Sequence, residues 1–316
     1  NIQNDDHWGS WRFRRYEYDR HNHEPPTEYP SIYYPQLGIY SSHNESIILS
    51  HFQMLKSLNV DALVVPWFGP SHHDIQFQDD VVGFTDSSMK ILMKHAKNYN
   101  LKIIPLIPNY EKRNLSIVES DLRYYFNTYS DDNSSYHTQD HKLLAYIYDI
   151  HDFDEGADVI NGLSSLYHFV ASGLTYQHFL DSYDDGAIGY ITYFATERFS
   201  WSATAENWPK LSSACIQRNM MFIPTVAPGY NDSQIDRWNS KQCVVRNCTD
   251  FYDQRWREAL EVNPDIILIN SFNGWREGTN IEPPISRTNF TLDMSNWCGN
   301  KPNHYLDSTK KWIETF

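Results

Sequence analysis

Within Ile269-Asn270-Ser271-Phe272-Asn273-Gly274-Trp275-Arg276-Glu277-Gly278-Thr279-Asn280-Ile281-Glu282-Pro283, two carboxylates, several amides, a Trp and an Arg follow an apolar run of strand length. Cleavage of a glycoside needs a carboxylic acid to protonate the leaving oxygen. Apolar rings beside such an acid raise its pKa towards neutrality. Glu277 is the candidate for that group, and Glu282 reads as a structural partner within its own loop. By residue type alone the stretch reads equally as a strand-end loop with surface charge, so its placement in the fold has to decide.

The surrounding elements give that placement. Apolar runs at 61–67, 101–107, 143–148, 163–170, 187–193, 221–226 and 266–270 are seven strand candidates. Helical periodicity starts near Asn44, with Ile48, Phe52 and Leu55 on one face, and returns at 86–99, 206–219, 252–261 and 305–316. Such alternation predicts a parallel sheet covered by helices. No Gly-rich fingerprint follows the first strand, which argues against a doubly wound nucleotide-binding sheet. Polar and aromatic residues cluster after the strands: Trp67, Asn109 and Tyr110, Asp149, Tyr193, Tyr230, then Asn273 to Glu277. An α/β barrel builds its site at the C-terminal strand ends. The distribution therefore supports an α/β barrel with a site on that face. His72-His73-Asp74 reads as a solvated loop rather than a metal site.

The stretch from Ser271 to Pro283 resembles the Ser-Phe-Asn-Glu-Trp-His-Glu-Gly-Thr-x-Ile-Glu-Pro signature of glycoside hydrolase family 99, the endo-α-1,2-mannosidases and endomannanases. Further matches run in the family's order: Tyr33 to Ser42, Val64 to Trp67, Tyr146 to Asp149, Asp185-Gly186, Tyr190 to Thr196 and Phe222 to Tyr230. The resemblance covers nearly the whole chain. It implies a single (β/α)8 TIM barrel over 1–316 and a retaining, endo-acting mannosidase lineage that needs no metal or cofactor. In that chemistry one Glu takes the proton of the sugar 2-hydroxyl, which attacks the anomeric carbon. The second Glu protonates the leaving oxygen and then activates water.

The departures from the family pattern bear directly on that chemistry. The signature's first Glu is Gly274, and its second is Glu277. A positioned base is worth roughly 10²–10⁴-fold, and here the base also creates the nucleophile. Ile107-Pro108-Asn109-Tyr110 stands where the family has Ile-Glu-Pro-Tyr, so a second carboxylate is absent, and Arg276 replaces a His. The family's first strand, an aromatic segment expected before His7, is not in this sequence. The leading reading is a pseudoenzyme that keeps the cleft, lined by Asn109, Tyr110, Asp149, Tyr193, Tyr230, Asn273, Trp275 and Glu277 with Trp67 stacked on a sugar ring, and that binds mannose-containing glycans or glycoproteins. One rival is an active enzyme in which Glu197 or Asp149 supplies the base. Another is an interaction or immunomodulatory protein that works through its outer surface.

The 40 acidic against 26 basic residues give a net charge of −14. This argues against nucleic acid or anionic membranes as partners. No apolar run approaches the ~20 residues of a membrane span, and the start at Asn1 reads as a processed end. Sequons at Asn44, Asn114, Asn133, Asn231, Asn247 and Asn289, with four cysteines, favour the secretory pathway. Asn44 reads equally as a helix cap. The cysteines are expected to pair as Cys243–Cys248 and Cys215–Cys298, with a zinc site or free thiols as competing readings.

Overall fold

The computed structural model describes residues 29, 31–71, 83–110, 113–150, 155–192, 197–232, 243–246, 248, 250–285, 297 and 301–316. Their contacts fall into two compact units. One comprises 42–191 and 213–222, the other 1–41, 192–212 and 223–316.

The first unit carries parallel strands ordered β1 to β6: Ala62–Pro66, Lys102–Ile107, Leu143–Ile147, Tyr167–Ser172, Gly189–Ile191 and Met221–Ile223. The register pairs Val64 with Ile104, Tyr146 with Val170 and Ala171 with Tyr190. Every residue of β3 is buried, as expected of a parallel strand with both faces covered. Helices α1 (Glu45–Ser57), α2 (Phe84–Ala96), α3 (Leu115–Tyr129), α4 (Gly156–Leu163) and α5 (Tyr176–Asp184) alternate with the strands. Helix α1 buries Ile48, Phe52 and Leu55, the face its periodicity predicts. Asn44 caps it by accepting from the Ser46 and Ile47 amides, and Asn114 caps α3 through the Ile117 amide.

Helix α6 (Trp208–Gln217) precedes β6. The second unit holds β7 (Thr225–Val226) paired in parallel with β8 (Leu268–Ile269), and helices α7 (Asp250–Glu261) and α8 (His304–Ile313). The apolar run 221–226 thus becomes two strands, split at Pro224. Proline brings no N–H to a ladder, and the Pro224 carbonyl accepts from Leu268 instead. Helices α7 and α8 are joined by a Tyr252–Thr309 hydroxyl pair at 2.8 Å and by Trp312 Nε1 donating to Asp253 at 2.6 Å. Trp256 and Trp312 stack alongside at 6.3 Å.

Two expectations are corrected. Cys215, Cys243 and Cys248 are all unbridged. Cys215 is buried in α6, where a thiol packs as a small apolar group. Cys298 lies outside the described residues, as do His72 to Asp74 and the Asn247 and Asn289 sequons. Trp67 is wholly buried. Its indole packs edge-on against Tyr125 and donates to Asp86 at 3.3 Å. It presents no face for a sugar to stack on, because the buried partners of its ring and N–H come from α2 and α3.

Candidate functional site

The segment after β8 folds back on itself, so that residues 271–274 face 279–282. The Ser271 amide donates to the Thr279 carbonyl and the Ile281 amide to the Ser271 carbonyl. The Glu282 amide donates to the Phe272 carbonyl. This tight return is what brings the two carboxylates of the stretch into different environments. Glu282 has no exposed surface. Its Oε2 accepts from the Tyr40 hydroxyl at 2.6 Å and from Trp275 Nε1 at 2.9 Å. It is a structural partner, as its sequence context suggested.

Glu277 keeps surface open to solvent, although protein crowds it densely. That crowding strips hydration from the carboxylate and raises its pKa. Arg276 opposes the shift and Asp232 adds to it. A raised pKa is what a general acid needs. The Glu277 carbonyl accepts from the Asn231 amide at 2.7 Å. Tyr230, beside it, donates its hydroxyl to Asp232 at 2.9 Å. Asn273 is exposed, and Trp275 is buried.

Gly274 sits inside the return. Its amide donates to Ser271 Oγ at 2.7 Å, and the Ser271 and Thr279 hydroxyls meet at 2.8 Å. A Cβ at 274 would meet those two oxygens, whose positions the hydroxyl pair now fills.

Sequence reasoning assigned no role to Arg246. Its guanidinium donates to the Gly278 and Asn280 carbonyls, each at 2.6 Å, so it clasps the backbone just after Glu277. Three rings surround the cation: Trp297 at 4.3 Å, and Tyr33 and Tyr305 at 4.9 Å each. No motif around Arg246 signals this, because its partners lie far away in sequence. A cavity of about 50 Å³ beside it, bounded by Tyr33, Tyr230, Cys243 and Gly278, suits a water rather than a sugar ring.

In the first unit the remaining candidates sit past the C-terminal ends of β2 and β3. Asn109 is exposed, while Tyr110 is half-buried with its ring 5.9 Å from Phe68. Burial and then the charge of Asp121 push the Tyr110 hydroxyl up. Asp149 has φ +43°, and Arg113 holds its carbonyl at 2.8 Å and that of Tyr148 at 2.7 Å. Asp121, buried under Gly69, has its carboxyl pushed up to about 7 by burial and by Asp86. In the second unit Glu197 forms an ion pair with Arg255, which also pairs with Glu258. Its carboxylate is therefore engaged by a cation rather than presented as a base. Tyr193 lies outside the described residues. Among the described residues no group of His, Cys, Asp and Glu is placed to hold a metal ion.

Residues 4–316 match the model of glycosyl hydrolase family 99. The chain is 30% identical to the glycoprotein endo-alpha-1,2-mannosidase of Rattus norvegicus, covering 98% of this chain and 69% of that one. It is 31% identical to a mouse glycoprotein endo-alpha-1,2-mannosidase-like protein, over 95% of this chain and 68% of that protein. Among solved structures it is similar to the endo-alpha-mannosidase of the same family from Bacteroides thetaiotaomicron. The TM-score there is 0.79 at 27% identity, covering 92% of this chain and 85% of that one. The fold class is accordingly α/β, of the (β/α)8 TIM-barrel type.

Proposed function

Since the chain belongs to glycosyl hydrolase family 99, we propose that it is a catalytically silent member that binds mannose-containing glycans. The observation that carries this reading is Gly274. The family's signature has its 2-hydroxyl base there, and in this chain two hydroxyls fill the space where that side chain would start. Glu277 retains the position and raised pKa of an acid. An acid alone can protonate a leaving oxygen but cannot generate the sugar-borne nucleophile. The names of the mannosidase relatives support an α-mannoside as the ligand. Asn273, Glu277 and Tyr230 are the residues of the second unit proposed to line the site, and Trp275 supports them from within. The family match over 4–316 supports one domain of this type. The sequons at Asn44, Asn114, Asn133 and Asn231 support a secretory-pathway location.

The test is hydrolysis and binding of an α-mannosyl oligosaccharide by the native chain. Binding without turnover is expected. Turnover by the native chain would overturn the reading in favour of a substitute base. Of the two substitutes, Glu197 is disfavoured by its pairing with Arg255, which leaves Asp149.

A further inference from the structure

Tyr40, Glu282, Trp275 and Asn273 form a chain of hydrogen bonds that runs from a buried carboxylate to an exposed amide. Glu282 is fully buried, Trp275 and Tyr40 nearly so, and Asn273 is exposed. The Tyr40 hydroxyl has one proton, and the short 2.6 Å contact commits it to Glu282 Oε2. Trp275 Nε1, a donor only, reaches the same Oε2 at 2.9 Å and the Tyr40 oxygen at 3.0 Å. Oε2 therefore accepts from both donors. With its proton spent, Tyr40 can only accept from what lies on its other side. That neighbour is the Asn273 side-chain amide, at 3.2 Å.

Asn and Gln amides are ambiguous by shape, and their orientation is settled by the partners. Here the partners leave one solution: the NH2 faces Tyr40 and the carbonyl oxygen faces outward. The Tyr40 hydroxyl is held well above the usual phenol range, first by burial and then by Glu282, so the chain keeps its proton.

We propose that Tyr40 and Glu282 are positioning residues that fix Asn273 so that its amide oxygen is presented to ligand as a hydrogen-bond acceptor for a sugar hydroxyl. The ligand half of this rests on the glycan-binding reading above, and the orientation half does not. A site built this way favours a ligand whose hydroxyl donates at that point, and it penalises groups that only accept.

Asn-selective ¹⁵N labelling of the native protein tests the orientation directly. The Asn273 side-chain amide protons are expected to show cross-peaks to the Tyr40 ring and hydroxyl protons. Absence of those cross-peaks overturns the proposal, whether or not any sugar binds. In Tyr40→Phe the pattern is expected to collapse, a change that altered stability alone does not produce. The ligand half is tested by titrating α-1,2-mannobiose and its monodeoxy and monofluoro derivatives. At one hydroxyl position, deoxygenation and fluorination are both expected to weaken binding by about tenfold, the worth of one hydrogen bond, because fluorine cannot donate. Asn273→Ala is expected to erase both penalties. A position where deoxygenation weakens binding but fluorine restores it, with that restoration lost in Asn273→Ala, would mean that Asn273 presents its N–H, and the proposal falls. If mannobiose itself does not bind, the ligand assignment falls with the glycan reading, and the cross-peaks still decide the orientation.

Discussion

The hydroxyls of Ser271 and Thr279 meet at 2.8 Å across the point where a side chain at position 274 would begin. The family signature keeps the same Ser and Thr around its Glu, and a Cβ at 274 is admitted once both the Ser271 and the Thr279 hydroxyls turn away. Gly274→Glu is therefore expected to fold and to gain turnover of an α-mannosyl oligosaccharide, against a native chain with none. Adding Glu277→Gln to that variant should abolish the gain, with a loss of at least roughly 10²-fold. Single-turnover product analysis would check both. A Gly274→Glu protein that stays silent while binding the glycan would mean that the other departures, Asn109 and Arg276, also block the reaction.

Arg246 holds the backbone after Glu277 by hydrogen bonds inside a ring of aromatic side chains. Arg246→Met is expected to lower stability by about 3–5 kcal/mol, since buried carbonyls lose charged donors and the rings lose their cation. Arg246→Lys keeps the charge but not the planar fork, and should cost about 1–3 kcal/mol. Urea unfolding distinguishes the two. Equal losses would mean that the planar fork carries the whole effect and the charge alone contributes nothing.

Asp121 makes stability depend on pH. Its carboxyl titrates at about 7 in the folded chain, through burial first and the Asp86 charge second. In the unfolded chain it returns to about 3.9. Between these values the native state holds the extra proton. The stabilisation it gives is complete below the unfolded value and is lost as pH rises through 7. Unfolding midpoints should therefore fall between pH 5 and pH 8. Asp121→Asn should flatten that slope and gain at most about 2–4 kcal/mol at pH 8. An unchanged slope in the variant would assign the effect to another group.

The three described cysteines should react in two classes. Cys243 and Cys248 are half-exposed and unbridged, so a maleimide should modify both in the native protein. Cys215 is buried, and its thiol is pushed up to about 12, mainly by burial. It should react only on unfolding. Peptide mass spectrometry after labelling would read this, and a recovered Cys243–Cys248 disulfide would contradict it.

The sequence alone determined the element types, because hydrophobic periodicity is a local property. Each of the seven apolar runs holds a strand, although the run at 163–170 begins at the end of α4 and is strand only from Tyr167, and the 221–226 run splits where Pro224 withholds an N–H. It also determined the lineage and the absence of a base at 274, because both are matters of residue identity at fixed spacing. The tertiary structure decided what each residue faces. Trp67 ends a strand in a motif and reads as a sugar platform, yet it is enclosed between helices that the sequence places downstream of it. Cys243 and Cys248 close a short loop but do not meet as a bridge. Arg246 and Tyr40 matter through partners more than thirty residues away in one case and more than two hundred in the other. Which proton each hydrogen bond uses, and hence which edge of Asn273 is offered outward, is fixed by that long-range packing and is carried by no local pattern.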